Sequence, residues 1–181
     1  MKKALISAAV IALPAFASVA HASDGSVNFT GELVAQTCTI DVNGNVTPAA
    51  ATVTLPTVST ALLTTAGRTT GQTRFVISLA NCTDPAKSAA AIFENGPTVD
   101  PLSGNLNVAA GGAQNVQLQL VDASNNNVIK AGDALQNTNT TKIALDASGN
   151  AKLPYAVQYY ATGAATAGTV NSSVTYSVSY Q

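Results

Sequence analysis

Once its leader is removed, this chain has no histidine: the only one, His21, lies in the N-terminal stretch read below as an export signal. Without an imidazole there is no serine or cysteine protease triad and no His-based acid-base chemistry. Cysteine is nearly as scarce. Cys38 and Cys82 are the only two, and their separation rules out a zinc site built from His and Cys. Positive charge is sparse too: beyond residue 22 there are six basic residues (Arg68, Arg74, Lys87, Lys130, Lys142, Lys152) against nine acidic ones, a net charge of −3. Nucleic acid and anionic lipid both need clustered Lys and Arg, so neither fits as a partner. The carboxylates Asp84, Glu94, Asp100, Asp122, Asp133 and Asp146 are scattered, and no spacing pairs an acid with a base. The sequence thus offers no catalytic residue, metal site or cofactor site, and the chain reads as a non-enzyme.

Only one long apolar run is present. Lys2 and Lys3 precede Ala4 to Ala20, and Ala20-His21-Ala22 supplies the small-x-small pattern of signal cleavage, so residues 1–22 read as a secretory signal and the mature chain begins at Ser23. A membrane anchor needs about 20 unbroken apolar residues. This run is shorter, contains Pro14 and has no successor, which predicts no membrane insertion after the signal is removed. The remaining 159 of 181 residues suffice for one domain. An even cysteine count in an exported chain predicts a Cys38–Cys82 disulfide of structural role.

What is abundant is period-2 alternation. Val27-Asn28-Phe29-Thr30-Gly31-Glu32-Leu33 and Val174-Thr175-Tyr176-Ser177-Val178-Ser179-Tyr180-Gln181 both alternate apolar or glycine with polar residues, the pattern of strands with one buried face. Strands are also expected at Leu33–Val42, Arg74–Leu79, Ala89–Phe93, Val116–Val121 and Val128–Lys130, with a short extended piece at Thr52–Leu55 ended by Pro56. Ala86–Phe93 is alanine-rich enough for a helix, but Pro85 and Gly96-Pro97 bound it, and a strand is preferred. Lys142–Leu145 and Leu153–Tyr160 flank the turn-forming Asp146-Ala147-Ser148-Gly149-Asn150, a hairpin. Ala109–Gly112 and Asn137–Thr141 read as surface loops. The fold class expected is all-β, a sandwich of immunoglobulin type.

Four segments taken in order carry a resemblance: Val27–Leu33 with Cys38-Thr39-Ile40, Phe75–Cys82, Tyr159–Ala165 and Tyr176–Gln181. Together they resemble the subunits of chaperone-usher fimbriae, in particular the type 1 major pilins, over nearly the whole mature chain. The resemblance is weakest between Asn95 and Asn139. Tyr180 is penultimate and Gly168 fourteenth from the end, as in that family's chaperone-recognition motif.

The resemblance implies an incomplete immunoglobulin-like sandwich, completed by a donor strand from a neighbouring subunit. Residues 23–35 would be the donor extension, with Val27, Phe29, Gly31 and Leu33 facing the groove, and residues 36–181 the pilin domain. The acceptor groove and chaperone contact would comprise Gly168, Val174, Tyr176, Val178, Tyr180 and Gln181. The implied partners are identical or related pilins, a periplasmic chaperone and an outer-membrane usher, and the implied destination is the cell surface, in a fimbrium supporting adhesion. The competing readings are a minor fimbrial adaptor and a small exported carbohydrate-binding adhesin. Taken without the resemblance, Val27, Phe29 and Leu33 read as the first strand of a complete sandwich and Gly31 as a bulge.

Overall fold

The structure is a computed structural model in which residues 38–46, 50–83 and 88–181 are described. The described residues form ten strands: β1 (Thr39–Val42), β2 (Asn45–Val46), β3 (Thr69–Ala80), β4 (Ser88–Phe93), β5 (Leu106–Asn107), β6 (Val116–Asp122), β7 (Val128–Ile129), β8 (Ile143–Ala144), β9 (Ala151–Ala161) and β10 (Tyr176–Tyr180). A 3-10 turn at Thr60–Leu62 and one helical turn, α1 (Gln136–Asn139), complete the elements. One sheet runs β2-β1-β3-β9-β6-β5, with β7 also on β6; the other is β10-β4-β8. Every pairing is antiparallel.

Alternation decides which side chains meet between the sheets. Phe75, Ile77 and Leu79 on β3, Leu118 and Leu120 on β6, and Leu153, Tyr155 and Val157 on β9 face Ala89, Ala91 and Phe93 of β4. An aromatic cluster fills the centre: Phe93 stands edge-on to Tyr155 at 5.2 Å between centroids and to Phe75 at 6.4 Å. The alanines of β4 carry too little bulk to hold the sheets apart, and the rings fill the space they leave. The strand at Ala89–Phe93 is therefore borne out over the helix, since a helix could not present Ala89, Ala91 and Phe93 together to this core.

Two expectations require correction. The tract Asn137–Thr141 is not simply a surface loop. Its exposed residues Asn137–Asn139 belong to α1, and Gln136 just before them and Thr140 just after them are buried. The Gln136 carboxamide pairs with Phe93 as a strand would: Phe93 N–H donates to Oε1 at 2.9 Å, and Nε2 donates to Phe93 O at 2.9 Å. Hence it extends the ladder of β4 beyond the short β8. Nor does the hairpin expected across Asp146–Asn150 form: β8 pairs with β4 in one sheet and β9 with β3 and β6 in the other, so this turn links the two sheets. On β6, Gln117 and Gln119 are buried along with the apolar residues between which they alternate. They bond to Asn105, Asn107 and Gln158 in a chain of amides, which satisfies groups that would be costly to bury unpaired.

Polar spacing also sets the strand ends. Pro154 lies within β9, yet its carbonyl accepts from Ala123 N just past the end of β6. Its missing N–H therefore falls where the ladder has stopped. Asp122, buried at that end, accepts from Ser124 N and Thr141 N at 2.8 and 2.7 Å and pins two loops to β6. Asp146 heads the turn before β9 and accepts from Ser148 N and Asn150 N. Chiefly the Asn150 amide holds its carboxyl below the usual range.

Burial pushes the Tyr155 hydroxyl up to about 12; the Ala91 N–H, donating to it at 2.8 Å, opposes that shift, and the charge of Asp122 adds to it. The unfolded chain loses this proton near pH 10, so the fold favours the neutral form and its contribution is complete below pH 10. It is lost as pH rises from 10 to about 12 and is worth about 2–3 kcal/mol at 1.36 kcal/mol per unit. Tyr159, Tyr176 and Tyr180 are raised by burial too and act in the same sense. The expected result is a urea midpoint that is flat from about pH 7 to 9 and falls above pH 10. A midpoint unchanged through pH 11.5 would contradict this assignment.

Candidate binding groove

β10 is an edge strand. Its ladder to β4 runs from Tyr176↔Phe93 to Tyr180↔Ala89, and Ser88 and Gln181 exchange backbone bonds at 2.6 and 2.8 Å, so one side of β10 is fully paired. Among the described residues nothing pairs with its other side. Beside that free edge lies an open groove of about 650 Å³. Val174, Tyr176 and Val178 form one wall, and Phe75, Phe93, Leu118, Leu120 and Val157 form the floor. The groove floor is thus formed by buried residues of the sandwich core.

The opposite wall comes from Ile40 and Val42 of β1 and from Ala51, Val53 and Leu55. This second stretch covers the short extended piece expected at Thr52–Leu55. Its residues alternate between half-buried and exposed, yet it forms no strand ladder. Pro56 ends it, and the Pro56 carbonyl accepts from the Tyr159 hydroxyl at 3.1 Å. Ile40, Val42, Ala51, Val53 and Leu55 were not singled out from sequence as groove residues. The Ala-Thr-Val-Thr-Leu alternation was the available signal, but it does not say against which element its apolar face rests.

The Cys38–Cys82 bridge is formed. It joins the residue before β1 to a residue just beyond β3, next to the Thr39↔Ala80 end of their ladder, and so clamps the strand that carries Ile40 and Val42. Gly149 explains the tight fit of the neighbouring turn: its φ is +73°, and a Cβ there would lie 2.5 Å from Cys82 O.

Of the site residues expected from sequence, Val174, Tyr176 and Val178 come together in the groove. Tyr180 packs half-buried against the core on the same strand, and Gln181 continues the ladder with β4. Gly168 is not brought to them. It nests against the loop at Gly112–Ala113, where a Cβ would lie 2.7 Å from Ala113 N. Close packing therefore accounts for a glycine at this position. Val27, Phe29, Gly31 and Leu33 lie outside the described residues, as does the expected strand's beginning at Leu33.

No group of three or more possible metal ligands occurs among the described residues. The groove is apolar and ladder-edged, which suits an extended peptide segment rather than a reaction.

Comparison with known proteins accounts for the geometry. The family model of the type-1 fimbrial protein, A, matches residues 55–181. The chain belongs to that family. It is 41% identical to an F17 fimbrial protein of Escherichia coli, over 92% of this chain and 93% of the relative. With the major fimbrial subunit SMF-1 of Stenotrophomonas maltophilia, identity is 44% over 89% of this chain and 95% of the relative. A solved chaperone-usher pilus superposes with a TM-score of 0.57 at 18% identity, covering 88% of this chain and 96% of that one. The fold is accordingly the incomplete immunoglobulin-like sandwich of pilus subunits, and the chain is a structural fimbrial subunit.

Proposed function

We propose that the groove beside β10 receives residues 23–35 of a neighbouring copy, and that repeated insertion builds the fimbrium by donor-strand exchange. The observation that carries this reading is the coincidence of an unpaired strand edge with an apolar groove running along it. A strand laid there gains main-chain bonds to β10 and buries every second side chain. The segment Val27-Asn28-Phe29-Thr30-Gly31-Glu32-Leu33 has the matching alternation. Burying Val27, Phe29 and Leu33 at about 1.5 to 3 kcal/mol each contributes roughly 5 to 9 kcal/mol, opposed by an ordering cost of about 1 to 2 kcal/mol per residue.

The same exposed edge is an aggregation hazard during export. A periplasmic chaperone covering it, with Tyr180 and Gly168 in its contact, followed by handover at an outer-membrane usher, fits a chain with an export signal and an open core. The assembled fimbrium is then the cell-surface structure through which adhesion is supported.

Deleting residues 23–35 tests the reading. The shortened subunit should still accept a strand but be unable to give one, so mixing it into assembling wild-type subunits should shorten the fibres in proportion to its share, as measured by electron microscopy. Fibres of ordinary length containing the shortened subunit throughout would overturn the proposal.

A further inference from the structure

The hydroxyl of Tyr176 is the only buried side-chain oxygen or nitrogen without a hydrogen-bond partner among the described residues. Its ring sits in the groove wall, 6.4 Å from the Phe93 ring. The contrast with its neighbours is sharp, because Tyr155 accepts from Ala91 N and Tyr159 donates to Pro56 O. An orphaned buried hydroxyl costs roughly 5- to 150-fold in an equilibrium constant, whereas phenylalanine would give the same ring packing without that cost. Tyr176 is nevertheless placed where the sandwich is open.

We infer that the Tyr176 hydroxyl is a hydrogen-bond donor held in reserve for the strand that fills the groove, the donor segment 23–35 of a second copy. The inference rests on the donor-strand reading above. An incoming strand brings a row of peptide carbonyls to the wall where Tyr176 stands, and acceptors of that kind are missing while the groove is empty. Burial, together with the negative charge of Asp41, keeps the phenol protonated and therefore able to donate. The hydroxyl opposes the empty state and favours the filled one, so it acts as a specificity determinant for occupancy rather than as a packing residue.

Tyr176→Phe separates these roles. The substitution is made in the mature subunit and in the same subunit carrying a second copy of residues 23–35 after Gln181. In the first protein the variant should melt no lower than the parent; in the second it should melt lower. A synthetic peptide of residues 23–35 bound to the mature subunit should dissociate roughly tenfold faster from the variant, the size expected for one buried hydrogen bond. Equal shifts in both proteins, or none in the filled one, would overturn the inference. If the appended copy fails to raise the melting temperature of the parent, the donor-strand reading itself falls and takes this inference with it.

Discussion

A second copy of residues 23–35, joined after Gln181 through a flexible linker, is expected to convert the subunit into a soluble monomer with a raised melting temperature that needs no chaperone. The groove borders β10, the strand that ends at Tyr180, so a linked segment can reach it without crossing the fold. Filling removes the unpaired edge and covers the groove floor at Phe75, Phe93 and Leu120. The gain in equilibrium stability is the burial of three apolar side chains plus a new ladder, less the ordering of the strand. The change of assembly state is larger than the change in stability, because polymerisation depends on the edge being free. Light scattering and calorimetry on the purified protein check both. Continued polymerisation, or a melting temperature no higher than that of the unmodified subunit, would contradict the assignment of the groove.

Replacing both Cys38 and Cys82 with alanine should cost about 4 kcal/mol, the chain-entropy value for a bridge whose ends are 44 residues apart. Domains of this size have about 5 to 15 kcal/mol in all, so the loss amounts to roughly 8 to 16 °C in melting temperature. The location makes the effect reach function. Cys38 immediately precedes β1, whose Ile40 and Val42 form part of the groove wall. Strand capture should therefore weaken along with stability. Thermal melts of the double variant beside the oxidised parent test this, and a difference under about 3 °C would contradict the role given to the bridge.

Much of the fold was legible because its strands follow simple alternation. Phe75-Val76-Ile77-Ser78-Leu79 and Tyr176-Ser177-Val178-Ser179-Tyr180 announced β3 and β10, and Asp146–Asn150 announced the turn before β9, but alternation on either side of a turn does not say that the two flanks join different sheets. The pairing of Cys38 with Cys82 followed from their number and from export. Contacts between distant segments that alternation does not encode stayed hidden. Nothing in Gln136 reveals that its amide completes the edge of β4, 43 residues earlier, because a glutamine in a polar tract has the same local signature as a solvated one. Gln117 and Gln119 are misleading for a similar reason: period 2 marks two faces, but not that both are covered. Half of the groove was readable, the half on β10. The facing wall at Ala51, Val53 and Leu55 was not, since it lies across the sandwich from the strand it serves.

The central claim is that the groove beside β10 is closed by a strand from another copy, and a density map of the assembled fibre at side-chain resolution tests it most directly. The account predicts a continuous strand paired with Tyr176–Tyr180, bearing Val27, Phe29, Gly31 and Leu33 toward Phe93 and Leu120, and traceable to Cys38 of the adjacent subunit. An empty groove, or one filled by the subunit's own residues 23–35, would contradict it.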